Sequence, residues 1–499
     1  MALVIAVAMV LAMGVVAFAA DPATTGTITI QNAARGETYK AFKLFDAHLG
    51  NGGAITYTGE IPASLADFFT KDSTGNIQKA TGKSDADIAA AVQAWAATAT
   101  GEVASGTGTG DPLVFTVPFG YYAVTSTQGT VVSVNSTNPN VVIYDKNSTT
   151  VTAEKTVEKT SYSIGDTINY TATFNTANYL TSEGATDGSA AKQVVDYVIS
   201  DTLPEFLSNV AVDSIKIMSK DGTTEIANVT AQFDSNKKIT IVWADEVTPA
   251  TTPRTWTSRY ANGVKIVVKY HGTLTSVTNV NTVDTNTISI LPDVVDDNGN
   301  PTPWNKPWED TAEVKTYAAA LKKVDENGNA LPGAKFTIKG LTVTGEAGEY
   351  TVVSYDPSST TESAQLDTDA NGMLYIVGLA SDVQLAVTEV KAPDGYNKLN
   401  DAITLTPQLL ATKIYKESGT IYYDADGNVV STEAASTTSE TVNKNLTDLD
   451  PGAVQVKNQK GSELPTTGGI GTTIFYIVGA ILVVGGGILL VSRRRMSSN

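Results

Sequence analysis

Rows of alternating apolar and polar residues recur along most of this chain, and they decide what it can fold into. Ile168, Tyr170, Ala172 and Phe174 alternate with other residues, as do Ile239, Ile241 and Trp243. A period of two puts one set of side chains on one face of a strand, so such rows predict half-buried β-strands. Strands are expected at 27–30, 120–124 and 141–144 as well. Thr, Val, Ala, Gly and Asn are abundant, and the reading is a mainly β chain. One segment has a helical period: Ile88, Val92 and Trp95 fall on one side of residues 85–97, with Ser84 as N-cap. Residues 101–111 and 181–191 read as loops, and 292–308 is a Pro/Trp/Asn-rich punctuation.

The two ends depart from this pattern. Residues 2–16 are apolar and lead into Ala17-Phe18-Ala19, a small-x-small cleavage site, with no Lys or Arg before it. Residues 1–19 are therefore read as a signal peptide, with the mature chain starting at Ala20. At the other end, Leu464-Pro465-Thr466-Thr467-Gly468 precedes an apolar run, 474–491, and then Arg493-Arg494-Arg495. About 20 apolar residues span a bilayer. The arginines would hold the tail on the cytoplasmic side. This three-part tail, 464–499, resembles the cell-wall sorting signal of Gram-positive surface proteins. The resemblance implies that a sortase cleaves between Thr467 and Gly468 and passes the Thr467 acyl group to an amine.

Between the ends the chain is long enough for about three domains. It has no cysteine, so an exported chain of this kind must be reinforced by something other than disulfides. The net charge of −18 argues against nucleic-acid binding and suits a solvated extracellular surface. His48 and His271 belong to no catalytic or metal constellation, and without Cys there is no thiol nucleophile or Cys-based zinc site. The acidic turns at 296–300 and 424–427 lack the full calcium-loop pattern and read as plain turns. The expectation is a structural protein with no cofactor, not an enzyme.

The rows divide into modules at 20–147, 148–316 and 317–460. The last opens with Leu321-Lys322-Lys323-Val324-Asp325, a turn, and Leu331-Pro332-Gly333-Ala334-Lys335-Phe336. It later carries Glu389-Val390-Lys391-Ala392-Pro393-Asp394-Gly395-Tyr396. This pairing closely resembles the Cna-B-type immunoglobulin-like domain of surface proteins. With Asp201-Thr202-Leu203-Pro204, the module order and the tail, the chain resembles the sortase-assembled major pilins of Gram-positive bacteria. The resemblance implies tandem immunoglobulin-like β-sandwich domains in an elongated rod. It further implies a backbone subunit of a covalent, wall-anchored pilus. The implied partners are pilin-polymerising and wall-anchoring sortases, identical subunits, tip and base pilins, and peptidoglycan. Loops rich in Thr, Ser and Asn would allow host-receptor contacts without identifying a ligand. The competing function is a monomeric wall-anchored adhesin.

Shaft pilins carry a lysine at the end of the first domain in a motif like Val-Tyr-Pro-Lys-Asn. The matching stretch is Ile143-Tyr144-Asp145-Lys146-Asn147, with Asp145 where the motif has Pro. By this resemblance the Lys146 amine would attack the Thr467 acyl-enzyme of the next subunit. A monomeric adhesin has no need of it. Head-to-tail repetition is the open, heterologous assembly that makes filaments.

Pilins of this kind also form Lys–Asn isopeptide bonds inside domains. The chemistry needs a buried, neutral lysine, a buried protonated carboxyl and an Asn carboxamide together. Each partner should then extend an apolar row. Lys323 follows Leu321; Glu389 follows Val383, Leu385 and Val387; Asn458 follows Val454 and Val456. The family's positions imply Lys323 as nucleophile, Glu389 as acid/base and Asn458 as acceptor. In the middle module Lys155 lies in a row with Val151, Ala153 and Val157. Asp201 continues Val195, Tyr197 and Ile199, and Asn286 begins a row with Ile288 and Ile290. By resemblance these are nucleophile, acid/base and acceptor. Lys159 shares the face of Lys155, Asn279 and Asn281 are alternatives to Asn286, and Pro292 and Asp293 are expected to interrupt the Asn-bearing strand. The first module shows no equivalent triad.

Overall fold

A computed structural model describes residues 6–10, 25–49, 55–110, 112–127, 129–130, 140–145, 150–181, 191–247, 253–276, 279–280, 283–407, 414–415, 419–423, 429–430, 438–442, 453–461 and 470–496. The expected signal-peptide cleavage site, most of the loop 181–191, the turn 424–427, Lys146 and the pentapeptide 464–468 lie outside the described residues. The chain divides into two compact units, 1–278 with 282–315, and 279–281 with 316–499. Described elements are mainly strands, as the alternating rows require.

In the first unit, residues up to 145 and from 150 to 315 build separate sheets. Thr25–Gln31 is the middle strand of a three-stranded sheet, antiparallel to Leu113–Pro118 and parallel to Asn140–Tyr144. A second sheet runs through Gly120–Ser126 and Thr38–Leu49, and Ala6–Val10 pairs with Gly120–Ser126 on its other side. Ile28, Ile30, Tyr39, Phe115, Val117 and Ile143 form the core between them. The helix runs Asp85–Ala96. Ser84 accepts the Asp87 N–H while the Asp87 carboxylate accepts the Ser84 N–H, a capping box. Its Ile88 and Val92 are buried, and Trp95 meets Phe42 edge-on. The expected loop 101–111 contains a short strand, Ala104–Thr107, paired with Thr38–Ala41. Its residues are small, which masks the alternation while letting the backbones approach.

The segment 150–315 is a two-sheet sandwich. One sheet orders Thr152–Val157, Thr167–Asn175, Lys265–Leu274, Leu207–Met218 and Glu225–Val229. The facing sheet centres on Lys192–Asp201 and Val283–Val295, with Trp308–Lys315 paired to the latter. Val283–Val295 continues through Pro292 and Asp293, where an interruption was expected. Pro292 falls between the stretch paired with Trp308–Lys315 and the stretch paired with Pro301–Pro303. No ladder bond on that side needs its missing N–H. The two parts of the unit are joined by hydrogen bonds to backbone carbonyls. The Asn262 N–H donates to the Arg35 carbonyl at 2.8 Å, and the Arg35 guanidinium donates to the Ser258 carbonyl at 3.0 Å. Gly36, at φ +84°, sits where an added Cβ would lie 2.7 Å from the Ala261 Cβ.

In the second unit a five-stranded sheet orders Leu341–Glu346, Glu349–Tyr355, Met373–Leu379, Tyr317–Val324 and Val454–Lys457. The last two are parallel neighbours. A four-stranded sheet of Leu366–Asp367, Lys335–Ile338, Leu385–Lys391 and Ile403–Leu405 accompanies it. Leu321, Phe336, Ile338, Leu374, Ile376, Leu385 and Val387 are buried. Met373–Leu379 is buried at every position, so it shows no alternation. The chain ends in a helix, Ile470–Met496. Its part Ile474–Arg494 has mean hydropathy 2.7 and is long and apolar enough to cross a membrane.

Candidate functional site

Three residues expected together in the third module are in mutual contact. Lys323 is the seventh residue of Tyr317–Val324 and faces the core at 0 % exposure. Val454–Lys457 runs beside it, Lys323 in register with Val456, so Asn458 emerges next to the lysine. The Asn458 N–H caps the ladder on the Val324 carbonyl. Glu389 comes from the other sheet, two residues after buried Val387. The Lys323 Nζ donates to the Asn458 Oδ1 in a short contact and lies 3.2 Å from the Glu389 Oε1. The Asn458 Nδ2 donates to both Glu389 oxygens, at 3.0 and 3.2 Å. The Leu399 N–H fixes the Glu389 Oε2 at 2.7 Å. Burial pushes the Lys323 ammonium down, toward the neutral amine, and outweighs the opposing pull of Glu389. The apolar row before Asn458 is shorter than expected: Val456 is buried, but Val454 lies on the surface at 37 % exposure. Val454 is the first residue of a short strand at the edge of its sheet.

The middle segment repeats the ingredients in another arrangement. Lys155 lies on the edge strand Thr152–Val157, and its backbone N–H donates to the Asp310 Oδ2 at 2.6 Å. Asp201 and Asn286 lie on adjacent strands of the facing sheet, Asp201 in register with Ile288. All three are buried. The Lys155 Nζ donates to the Asp201 Oδ2 at 2.9 Å. It also sits over the rings of Tyr170 and Tyr270, 4.9 and 5.5 Å from their centroids. Burial pushes Lys155 down to about 8, against the pull of Asp201. Lys159, the alternative, is exposed. The Asn279 side chain and Asn281 lie outside the described residues.

Two neighbours of this site were not anticipated. The Tyr270 hydroxyl donates to the Asp201 Oδ2 at 2.5 Å and accepts from the Asn286 Nδ2 at 3.3 Å. The Thr202 hydroxyl donates to the Asn286 Oδ1 at 3.0 Å. Tyr270 continues the buried row Ile266, Val268, and an aromatic in such a row reads as core. In the sequence Thr202 figures only as a member of the phrase Asp201-Thr202-Leu203-Pro204, with no task of its own.

At the end of the first module, Asn140–Tyr144 runs into a buried Asp145. The Tyr39 hydroxyl donates to the Asp145 carboxylate in a short contact and accepts the Ala34 N–H. Asp145 is thus pinned one residue before Lys146, which lies outside the described residues. The acidic turn at 296–300 closes on itself, the Asp296 Oδ1 accepting the Asn298 and Asn300 N–H groups.

Comparison with protein families matches residues 318–415 to the SpaA prealbumin-like fold domain and residues 456–498 to the LPXTG cell wall anchor motif. The chain is a cell-wall-anchored protein. Its apolar helix lies inside the matched anchor region. No curated protein matches the anchored chain. Among solved structures it is similar to the group B streptococcus pilus 2b backbone protein at 23 % identity and TM-score 0.37, covering 62 % of this chain and 99 % of that one. It is similar to the major pilin SpaD of Corynebacterium diphtheriae at 17 % and 0.34, covering 88 % and 98 %. It is similar to the major pilin RrgB of Streptococcus pneumoniae at 11 % and 0.37, covering 88 % and 100 %. At these identities and scores no residue role is transferred.

Proposed function

We propose that the chain is the backbone subunit of a covalently polymerised, wall-anchored pilus, with domains at 20–147, 148–316 and 317–460. One observation carries the reading. An LPXTG cell wall anchor match follows a SpaA domain match, and the amine and carboxyl of the latter, Lys323 and Glu389, are in buried contact with the Asn458 carboxamide. That cluster suits amide exchange. The neutral Lys323 Nζ attacks the Asn458 Cγ, Glu389 moves a proton from Nζ to Nδ2, and the Cγ–Nδ2 bond breaks with loss of ammonia. Lys155, Asp201 and Asn286 do the same in the middle domain. Each event is self-catalysed and happens once, so the protein is structural rather than an enzyme.

Polymerisation uses the two ends. A pilin-polymerising sortase cleaves after Thr467, and the Lys146 amine of another subunit takes the acyl group. A wall-anchoring sortase passes the last Thr467 to peptidoglycan, and tip and base pilins complete the fibre. The test is the wall extract of a strain carrying wild type or Lys146→Ala. Wild type should give a ladder of covalent multimers, and Lys146→Ala only anchored monomer. A wild type that is monomeric on the wall would overturn the reading in favour of a monomeric adhesin.

A further inference from the structure

The middle site differs from the third in what its acid touches. Glu389 reaches the Asn458 amide nitrogen with both oxygens. Asp201 is one methylene shorter, and its oxygens are taken: Oδ1 accepts the Leu203 N–H at 2.8 Å, and Oδ2 accepts Lys155 and Tyr270. The route from Asp201 to the Asn286 amide runs through the Tyr270 hydroxyl. We propose that Tyr270 and Thr202 complete the bond-forming site of the middle domain, Tyr270 relaying the proton from Asp201 to the departing amide nitrogen and Thr202 holding the oxyanion. The proposal rests on the reading that Lys155 and Asn286 become joined.

Both groups are fixed for these tasks. The Tyr270 ring stacks on Tyr170 at 5.0 Å and 17°, and Phe233 meets its edge at 5.5 Å. Burial, reinforced by Asp201, pushes its hydroxyl far up, so it passes a proton without ionising. Thr202 is clasped to the Asn286 strand: its N–H donates to the Thr287 carbonyl at 2.9 Å, and its Oγ1 accepts the Thr287 N–H at 3.1 Å. Its own proton is thereby aimed at the Asn286 Oδ1, where negative charge develops.

The step balances. The site starts with Lys155 neutral and Asp201 protonated. The Lys155 Nζ forms a bond to the Asn286 Cγ, and the carbonyl electrons move to Oδ1, held by Thr202; Asp201 gives its proton to the Tyr270 oxygen while the Tyr270 hydrogen passes to Nδ2. As the Oδ1 electrons return, the Cγ–Nδ2 bond breaks, and the Asp201 carboxylate takes a proton from Nζ. Ammonia leaves, and Asp201, Tyr270 and Thr202 end as they began.

The experiment is a pulse-chase of the full chain, followed by peptide mapping of the Lys155–Asn286 and Lys323–Asn458 cross-links. Tyr270→Phe keeps the ring stack and should slow the first cross-link by about 100-fold. The second, in the other compact unit, should form at the wild-type rate and report normal synthesis, while protease resistance of 150–315 reports that the middle segment has folded. Adding Asp201→Glu to Tyr270→Phe should restore the bond, because a longer acid reaches the amide directly; a merely structural tyrosine would not be rescued this way. If Tyr270→Phe does not fold, Thr202→Val carries the test, with an expected slowing of about tenfold at this exposed hydroxyl. Wild-type rates in both variants would overturn the proposal while leaving the cross-link reading intact. A wild-type chain with no Lys155–Asn286 peptide would overturn both.

Discussion

Lys323 lies on a strand parallel to Val454–Lys457, opposite Val456 in the register, and its Nζ rests against the Oδ1 of Asn458, the residue that follows that strand. They are 135 residues apart in sequence. Joining them would close a loop worth about 5 kcal/mol on the chain-entropy view of cross-links. Asn458→Ala should restore the mass of one ammonia to the intact protein and lower its unfolding free energy by that order. Glu389→Ala should do more harm, because it also leaves the Lys323 amine buried without its carboxyl, a further cost of about 3–5 kcal/mol. Intact mass and denaturant midpoints check both.

Asp196 and Asp293 face each other across adjacent strands of the middle segment. Partial burial, then the neighbouring Asp293 charge, pushes Asp196 up to about 6; burial pushes Asp293 up as well. Folding therefore favours the protonated carboxyl. This contribution is fully present below the ordinary Asp range and is lost as pH rises through about 6. Thermal stability should rise as pH falls from 7 to 5. Asp293→Asn should flatten that dependence and raise the melting temperature at pH 7. A melting temperature that drops between pH 7 and 5 in wild type would contradict the assignment.

The Lys155–Asp201 pair predicts an unusual rate profile. The reactive form, neutral amine beside protonated carboxyl, holds the same number of protons as the ion pair. Cross-linking should therefore be independent of pH near neutrality. It should fall above about 8, where Lys155 gives up the proton the pair must share. Cell-free synthesis at set pH, quenched in acid and read by mass, measures this. A rate that keeps climbing above that point would mean that Asp201 is not the acid.

Arg493, Arg494 and Arg495 close the apolar helix. Replacing all three by Ser should remove the charges that stop transfer across the membrane, worth about 2.5–3.5 kcal/mol each at a bilayer centre. Uncut chain should then appear in the culture medium, detected with antibody to the region after Gly468. Undiminished wall attachment would show that the arginines are not needed for retention.

Much of this was legible in the sequence because burial imposes a period. Lys323, Glu389 and Asp201 each extend an apolar row, and the same alternation that predicts strands places them in the core. What stayed hidden lacks a periodic signature. Tyr270 occupies a core position like any other buried aromatic, and the role proposed for it depends on a hydroxyl contact with strands in the facing sheet. Met373–Leu379 has no polar face to alternate with. Pro292 reads as a break in isolation, yet the strand tolerates it because its partners change at that point. The strand Ala104–Thr107 is built of residues too small to reveal a pattern.

The parallel pairing of Tyr317–Val324 with Val454–Lys457 fixes how this domain meets tension. The chain enters at the start of one strand and leaves at the end of its neighbour, running the same way, so a pull on Thr316 and Gly461 drags the two strands past each other lengthwise. Such a load falls on every rung of the ladder at once rather than opening one rung after another. A covalent tie between Lys323 and Asn458 would forbid even that sliding. The 135-residue span between them would then be slack, a folded body carried beside the line of force instead of along it.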